Sequence, residues 1–158
     1  MNDDIIFRQY EYNSHDFKKA LILRYDILDL PGGAGDYGVK FIYGPHDEEE
    51  NHILLGAFID DKIVGTLNLQ PVDDTTLLLR QFAVDRGMQG TGIGSKLMAL
   101  AHKTARKHGY TKITMHARRT AYKFYAKHGY ILEHPEELDT ILDPNNTKFS
   151  LHHMYIDL

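Results

Sequence analysis

The stretch "DRGMQGTGIGSKL", Asp85–Leu97, carries four glycines within residues 87–94. It follows an apolar run, Thr75–Val84, and leads into a helical one. A turn alone needs one or two glycines. Several at close spacing point to another group approaching the main chain, and a phosphate is a frequent occupant of such a loop. The residues on either side decide which kind of loop it is.

Upstream, Ile5–Tyr12 reads as a short strand. Ser14 is placed to cap a helix on which Phe17, Leu21, Tyr25 and Leu28 share a face, and Pro31-Gly32-Gly33 ends it. Ala34–Asn51 reads as a long surface loop with room for one short helical turn, its acidic run Asp47–Glu50 solvated, with attraction of a cationic amine as the alternative. His52–Asp60, Ile63–Gln70 and Thr75–Val84 then form an antiparallel meander into the glycine loop. Downstream, Leu97, Ala101 and Ala105 recur at helical spacing, with Gly109 as the residue after the C-cap. Lys112–Ala117 is a strand. Thr120 is expected to cap a second short helix running to His128, and Gly129 ends it. Tyr130–Glu133 begins another strand, His134–Lys148 connects, and Phe149–Leu158 is the last strand. The order is β-α-β-β-β-α-β-α-β-β. Only Thr75–Ala117 requires a parallel, right-handed crossover.

Composition narrows the chemistry. The 158 residues carry a net charge of −4, which argues against nucleic acid as the main partner. There is no cysteine, so disulfides, thiolate metal sites and a cysteine nucleophile are excluded. The three serines, Ser14, Ser95 and Ser150, lie in no G-x-S-x-G elbow. No H-E-x-x-H occurs, and the adjacent His152 and His153 point to opposite faces of a strand, so no metal site is expected. The N-terminus lacks the basic and apolar regions of a signal peptide, and no segment reaches membrane-spanning length. A cytoplasmic location without membrane contact is therefore the expectation.

The loop itself fails two phosphate patterns. A Walker A lysine follows a glycine directly, whereas here Ser95 stands between Gly94 and Lys96. A dinucleotide fingerprint needs a glycine where Ser95 stands and an acid near the end of the next strand, where Arg118 stands. Gln89-Gly90-Thr91-Gly92-Ile93-Gly94 instead fits Q/R-x-x-G-x-G/A, and this resembles the pyrophosphate loop of the GNAT superfamily of N-acetyltransferases. "LRQFAVDRGMQGTGIGSKLMALA" is similar to that family's fourth strand, loop and third helix. "ITMHARRTAYKFYAKHGY" resembles its fifth strand, fourth helix and the start of the sixth strand. "IVGTLNLQP" is similar to its third strand, and "LRYDILDLPGG" to its first helix. The resemblance covers most of the chain in the right order.

The resemblance implies one α/β domain over residues 1–158, with a mixed, mainly antiparallel sheet whose central parallel strands splay apart between flanking helices. It implies acetyl-CoA as co-substrate and no metal. Its pantetheine would pair with the backbone of Phe82, Ala83 and Val84. Its pyrophosphate would lie on Gln89, Gly90, Thr91, Gly92, Ile93, Gly94 and Ser95, and Ala121 and Phe124 would complete the site. The amides that open a helix suit a diphosphate independently of any family, because their dipoles and free N–H groups favour an anion.

The implied reaction is attack of a primary amine on the thioester. Tyr125, in "FYAKHGY", matches the family's tyrosine that commonly protonates the leaving thiolate, with an aromatic core position on a short helix beside Phe124 as the alternative. A fourth-strand backbone amide such as that of Val84 is the expected oxyanion donor. Some members carry a glutamate base near Gln81, and glutamine cannot take a proton. His116 is one substitute, with an unperturbed pKa that suits the task, against the alternative of a strand histidine hydrogen-bonded in the sheet. A water chain or an already neutral amine is another. Arg118 and Arg119 are read as solvent-exposed, with assistance to CoA phosphates as the alternative. The acceptor is a small-molecule amine or a protein amino group, and a homodimer is expected to be possible. A non-catalytic CoA-binding regulatory module on the same fold is the competing reading.

Overall fold

The computed structural model describes residues 4–29 and 46–158. The expected break at Pro31-Gly32-Gly33 and the first part of the loop that follows lie outside the described residues.

Strands β1 (Ile5–Gln9), β2 (Ile53–Ile59), β3 (Lys62–Pro71), β4 (Thr76–Val84), β5 (Lys112–Arg118), β6 (Ile131–Leu132) and β7 (Leu151–Asp157) form one sheet in the order β1-β2-β3-β4-β5-β7-β6. Every neighbouring pair is antiparallel except β4–β5. That parallel pair spans the glycine loop and the helix after it, where the sequence requires a crossover, but it is not the only one: β5 and β6 both run antiparallel to β7 between them, so the connection from β5 to β6 is a second parallel crossover. Helix α1 (His15–Arg24) begins at Ser14, whose Oγ accepts from the Phe17 amide at 3.1 Å. It continues as a wider π-helical turn, Tyr25–Asp29. Helix α2 (Ile93–Lys107) ends at His108, and Gly109 takes φ 84°.

The two helices cover opposite faces of the sheet. Leu97, Met98, Ala101 and Ala105 of α2 pack on Leu67, Leu69, Leu77, Ile113 and Met115. Phe17, Ala20, Leu21 and Leu23 of α1 pack on Leu54, Phe58, Ile63 and Ala83. Burying side chains of this size contributes about 1.5–3 kcal/mol each, so both helices are held by packing rather than by propensity.

Three local readings need correction. The second short helix, α3 (Tyr122–Lys127), starts after a 3₁₀ turn, Arg119–Ala121, and Thr120 makes no side-chain cap. The connection after β6 contains a further short helix, α4 (Leu138–Leu142). The acidic run Asp47–Glu50 is not uniformly solvated. It sits in a 3₁₀ turn that buries Glu49 at 4% exposure. There Glu49 Oε1 lies 2.9 Å from Nη1 of Arg24, itself 0% exposed, and accepts from Asn68 Nδ2 at 2.5 Å. Asn68 Oδ1 accepts from Arg24 Nη2 at 2.7 Å. Acidity in a loop suggests water as the partner, but a buried arginine on a neighbouring helix is a stronger claimant.

Candidate functional site

The site begins with a fault in β4. Thr66 pairs with Ala83 and Asn68 with Arg80, so Leu67 alone faces both Gln81 and Phe82. Gln81 takes φ 54°, which identifies the extra residue of a β-bulge. The bulge shifts the strand's phase. Before it, Leu77 and Leu79 face α2; after it, Ala83 joins the α1 core while Phe82 and Val84 pack on the α2 side. Parallel pairing with β5 covers only Thr76–Leu78 against Lys112–Thr114. Beyond Leu78 the strands diverge, and the β5-facing side of β4 loses its ladder partner.

The glycine loop closes the open end of this wedge. Asp85 Oδ1 accepts from the Gly87 amide at 2.9 Å and starts a 3₁₀ turn, Arg86–Met88. Gly90 and Gly92 then take φ 79° and 90°. A Cβ at either would meet no protein atom within 4 Å, so open space lies before the loop and the backbone conformation is what demands glycine. Gly92 is the N-cap of α2 and offers no side-chain cap. The first-turn amides of α2 are therefore left without an intrahelical or capping partner. Ile93 is buried and anchors the turn in the core.

A cleft of about 610 Å³ occupies the wedge. Of the residues singled out in the sequence, Phe82, Ala83, Val84, Gln89, Gly90, Gly92, Gly94, Ser95, Ala121 and Phe124 line it together. Thr91 instead turns its hydroxyl back to the Met88 carbonyl. The Gln89 side chain donates to the Val84 carbonyl at 3.0 Å, which leaves its backbone as the part turned to a ligand. Ser95 Oγ lies 3.0 Å from His128 Nε2. Ile27, Met88 and Lys127 also line the cleft. Sequence reading missed all three. Ile27 and Met88 carry no motif, and Lys127 was legible only as part of "FYAKHGY".

Tyr125 does not itself line the cleft; it stands behind Phe82 and Phe124, which do, with ring centroids at 6.4 and 5.4 Å. Its hydroxyl makes no hydrogen bond among the described residues. Burial pushes its pKa up to about 12, against the opposing charge of Arg118. The group is therefore a protonated donor throughout the neutral range, with its proton uncommitted. His116 lies elsewhere. It is exposed on β5, where its Nε2 is 3.1 Å from Nε2 of His153 on the paired strand. Partial burial, His153 and Arg80 all hold its pKa below the usual value. It does not line the cleft. His152 points to the other face, bonded to Ser150 and Glu137, as strand alternation requires.

Residues 20–130, more than half of the chain, match the profile of the acetyltransferase (GNAT) family. Solved structures with the same fold include an aminoglycoside 6′-N-acetyltransferase complexed with coenzyme A, at 18% identity and a TM-score of 0.72, covering 96% of each chain. The aminoglycoside 6′-N-acetyltransferase of Enterococcus faecium matches at 18% identity and 0.70, again over 96% of each chain. A GNAT family acetyltransferase of Elizabethkingia anophelis with acetyl-CoA bound matches at 19% identity and 0.71, over 99% of this chain and 100% of that one.

Proposed function

Because the chain belongs to the acetyltransferase (GNAT) family, whose co-substrate is acetyl-CoA, we propose that residues 1–158 act as one catalytic domain that passes the acetyl group directly to a primary amine. One observation carries this reading. The uncapped N-terminus of α2 opens onto a cleft between two diverging parallel strands. That arrangement offers an anion site at one end and free strand backbone along the side.

In this reading the amides of residues 89–95 hold the diphosphate, and Lys127 adds positive charge at the cleft wall. The β4 backbone at Phe82, Ala83 and Val84 pairs with the pantetheine amides, taking the place of the missing β5 ladder. A β4 amide donates to the oxyanion, and Tyr125 donates its proton to the departing thiolate. The exposed position of His116 supports entry of the acceptor as a neutral amine, or its deprotonation through water, over direct attack on its proton by that histidine.

CoA and acetyl-CoA are expected to raise the melting temperature in a concentration-dependent way, because they bind only the native state. A shift with ATP or NAD and none with CoA would refute the assignment of the loop.

Gly92→Asp is expected to fold and to weaken CoA binding by roughly tenfold to a hundredfold, equivalent to about 1.4–2.7 kcal/mol. Open space before Gly92 leaves room for the carboxylate, and φ 90° confines the structural penalty to local strain of about 1–3 kcal/mol. The added charge then faces the diphosphate. Calorimetric titration of the folded variant checks this, and an unchanged affinity would remove the loop from the binding site.

A further inference from the structure

A second cavity, of about 240 Å³, lies where β5 ends beside the segment leading into β7. Three cations line it, Arg118, Arg119 and Lys148, together with Phe149 and three hydroxyl residues, Thr120, Thr147 and Ser150. No carboxylate lines it, and among the described residues none of the three cations has one within 4.0 Å. This is unusual placement in a chain whose net charge is −4. Cations gathered around one concavity repel one another and focus a positive field outward.

The walls are built by pairing rather than by chance proximity. Arg118 pairs with Leu151 in the β5–β7 ladder, and the Arg119 amide donates to the Ser150 carbonyl at 3.3 Å. Arg119 Nε donates to the Lys148 carbonyl at 3.4 Å, which leaves its terminal nitrogens for a ligand. The Arg118 guanidinium carbon lies 5.5 Å from the ring centre of Phe149, a side chain left 63% exposed. An aromatic ring beneath a guanidinium fixes its plane, and the Arg118 N–H groups other than the one on Nη2 that donates to the Leu28 carbonyl stay open to a planar or tetrahedral anion.

We propose that this cavity is an anion subsite of the acceptor, taking a carboxylate or phosphate group borne by the amine substrate. The inference rests on the acetyl-transfer reading above. Its position supports the acceptor as owner. Arg118 donates to the Leu28 carbonyl at 3.5 Å, next to Ile27 of the cleft, and its charge is felt at Tyr125. The cavity thus adjoins the reacting end, while the CoA cleft has its own phosphate donors in the α2 N-terminus and Lys127. Its volume suits one anionic group with a few carbons and is below the ~300 Å³ of a pocket for a whole drug-sized ligand. The acceptor class is then an amine that also carries an acid, as an amino acid or an amino phosphate does, rather than a polycation.

The test uses inorganic phosphate as the probe at constant ionic strength. It is titrated into the free protein and into the protein saturated with CoA or with dephospho-CoA, for the wild type and for the pair Arg119→Gln/Lys148→Gln. The proposal expects saturable phosphate binding in both complexes, at least tenfold weaker in the double variant, with CoA affinity unchanged. Phosphoethanolamine should compete with phosphate, and ethanolamine should not. Binding with dephospho-CoA but not with CoA would give the cavity to the 3′-phosphate of CoA and overturn the proposal. So would an absence of saturable binding in the CoA complex, indifference to the two substitutions, or failure of phosphoethanolamine to compete. If CoA itself does not bind, the acetyl-transfer reading fails. The titration of the free protein then still reports whether Arg119 and Lys148 hold an anion.

Discussion

Tyr125→Phe is expected to lower turnover by roughly 10²–10⁴, the scale of a general acid, with little change in acetyl-CoA affinity. The substitution keeps the ring, so its contacts with Phe82, Phe124 and Tyr130 persist. Only the hydroxyl is lost, and that hydroxyl satisfies no other group among the described residues. A structural role would therefore cost stability by less than the ~1 kcal/mol of an ordinary hydrogen bond. Because burial holds the hydroxyl at about 12, it keeps its proton at every working pH, and no alkaline loss of activity below pH 10 should trace to it. Desolvation beside the cleft wall would raise the basicity of a departing thiolate as it raises that of the phenolate, since both are anions in a poor solvent for charge. The proton can then pass as the carbon–sulfur bond breaks. Steady-state rates beside melting curves decide the matter. A folded variant with near wild-type turnover, under conditions where chemistry limits the rate, would exclude Tyr125 as the acid.

The features legible in the sequence are those in which a local pattern coincides with a backbone requirement. The glycine loop is one, because φ near 90° at Gly92 and an uncapped helix start both follow from residue type. The amphipathic face Leu97–Ala101–Ala105 is another, because helical spacing and burial are the same fact. What escaped reading is long-range. Gln81 shows as the wrong residue for a base, yet nothing local announces that it occupies the bulge that parts β4 from β5. His116 has a suitable chemistry, but only the register against His153 reveals what its ring meets, and it is not among the residues that line the cleft. Lys127 reaches the cleft because α3 starts one 3₁₀ turn after β5, a boundary that Thr120 as an expected cap misplaced. Glu49 looks solvated until Arg24 and Asn68, from two other elements, are brought beside it.

That last cluster makes the strongest prediction about stability. Glu49→Ala is expected to destabilise the fold by about 3–5 kcal/mol, because it strands a buried guanidinium without its counter-charge. Arg24 is fully buried, and its Nε already lacks a hydrogen-bond partner among the described residues, so without Glu49 its charge keeps the neutral Asn68 Oδ1 and no carboxylate. Removing the carboxylate also leaves the Asn68 amide without its acceptor at Oε1. For a domain whose total stability is about 5–15 kcal/mol, the loss is a large share of the whole. The double change Arg24→Met/Glu49→Leu separates two explanations. If the penalty comes from the stranded charge, replacing both partners with apolar side chains of similar volume should recover most of it. If it comes from lost packing of the 3₁₀ turn against the sheet, the double variant should be no better than the single one. Denaturant midpoints for the wild type and the two variants measure both terms. A Glu49→Ala midpoint within about 1 kcal/mol of wild type would mean that water reaches Arg24, and the cluster would then be a surface ion pair of little worth.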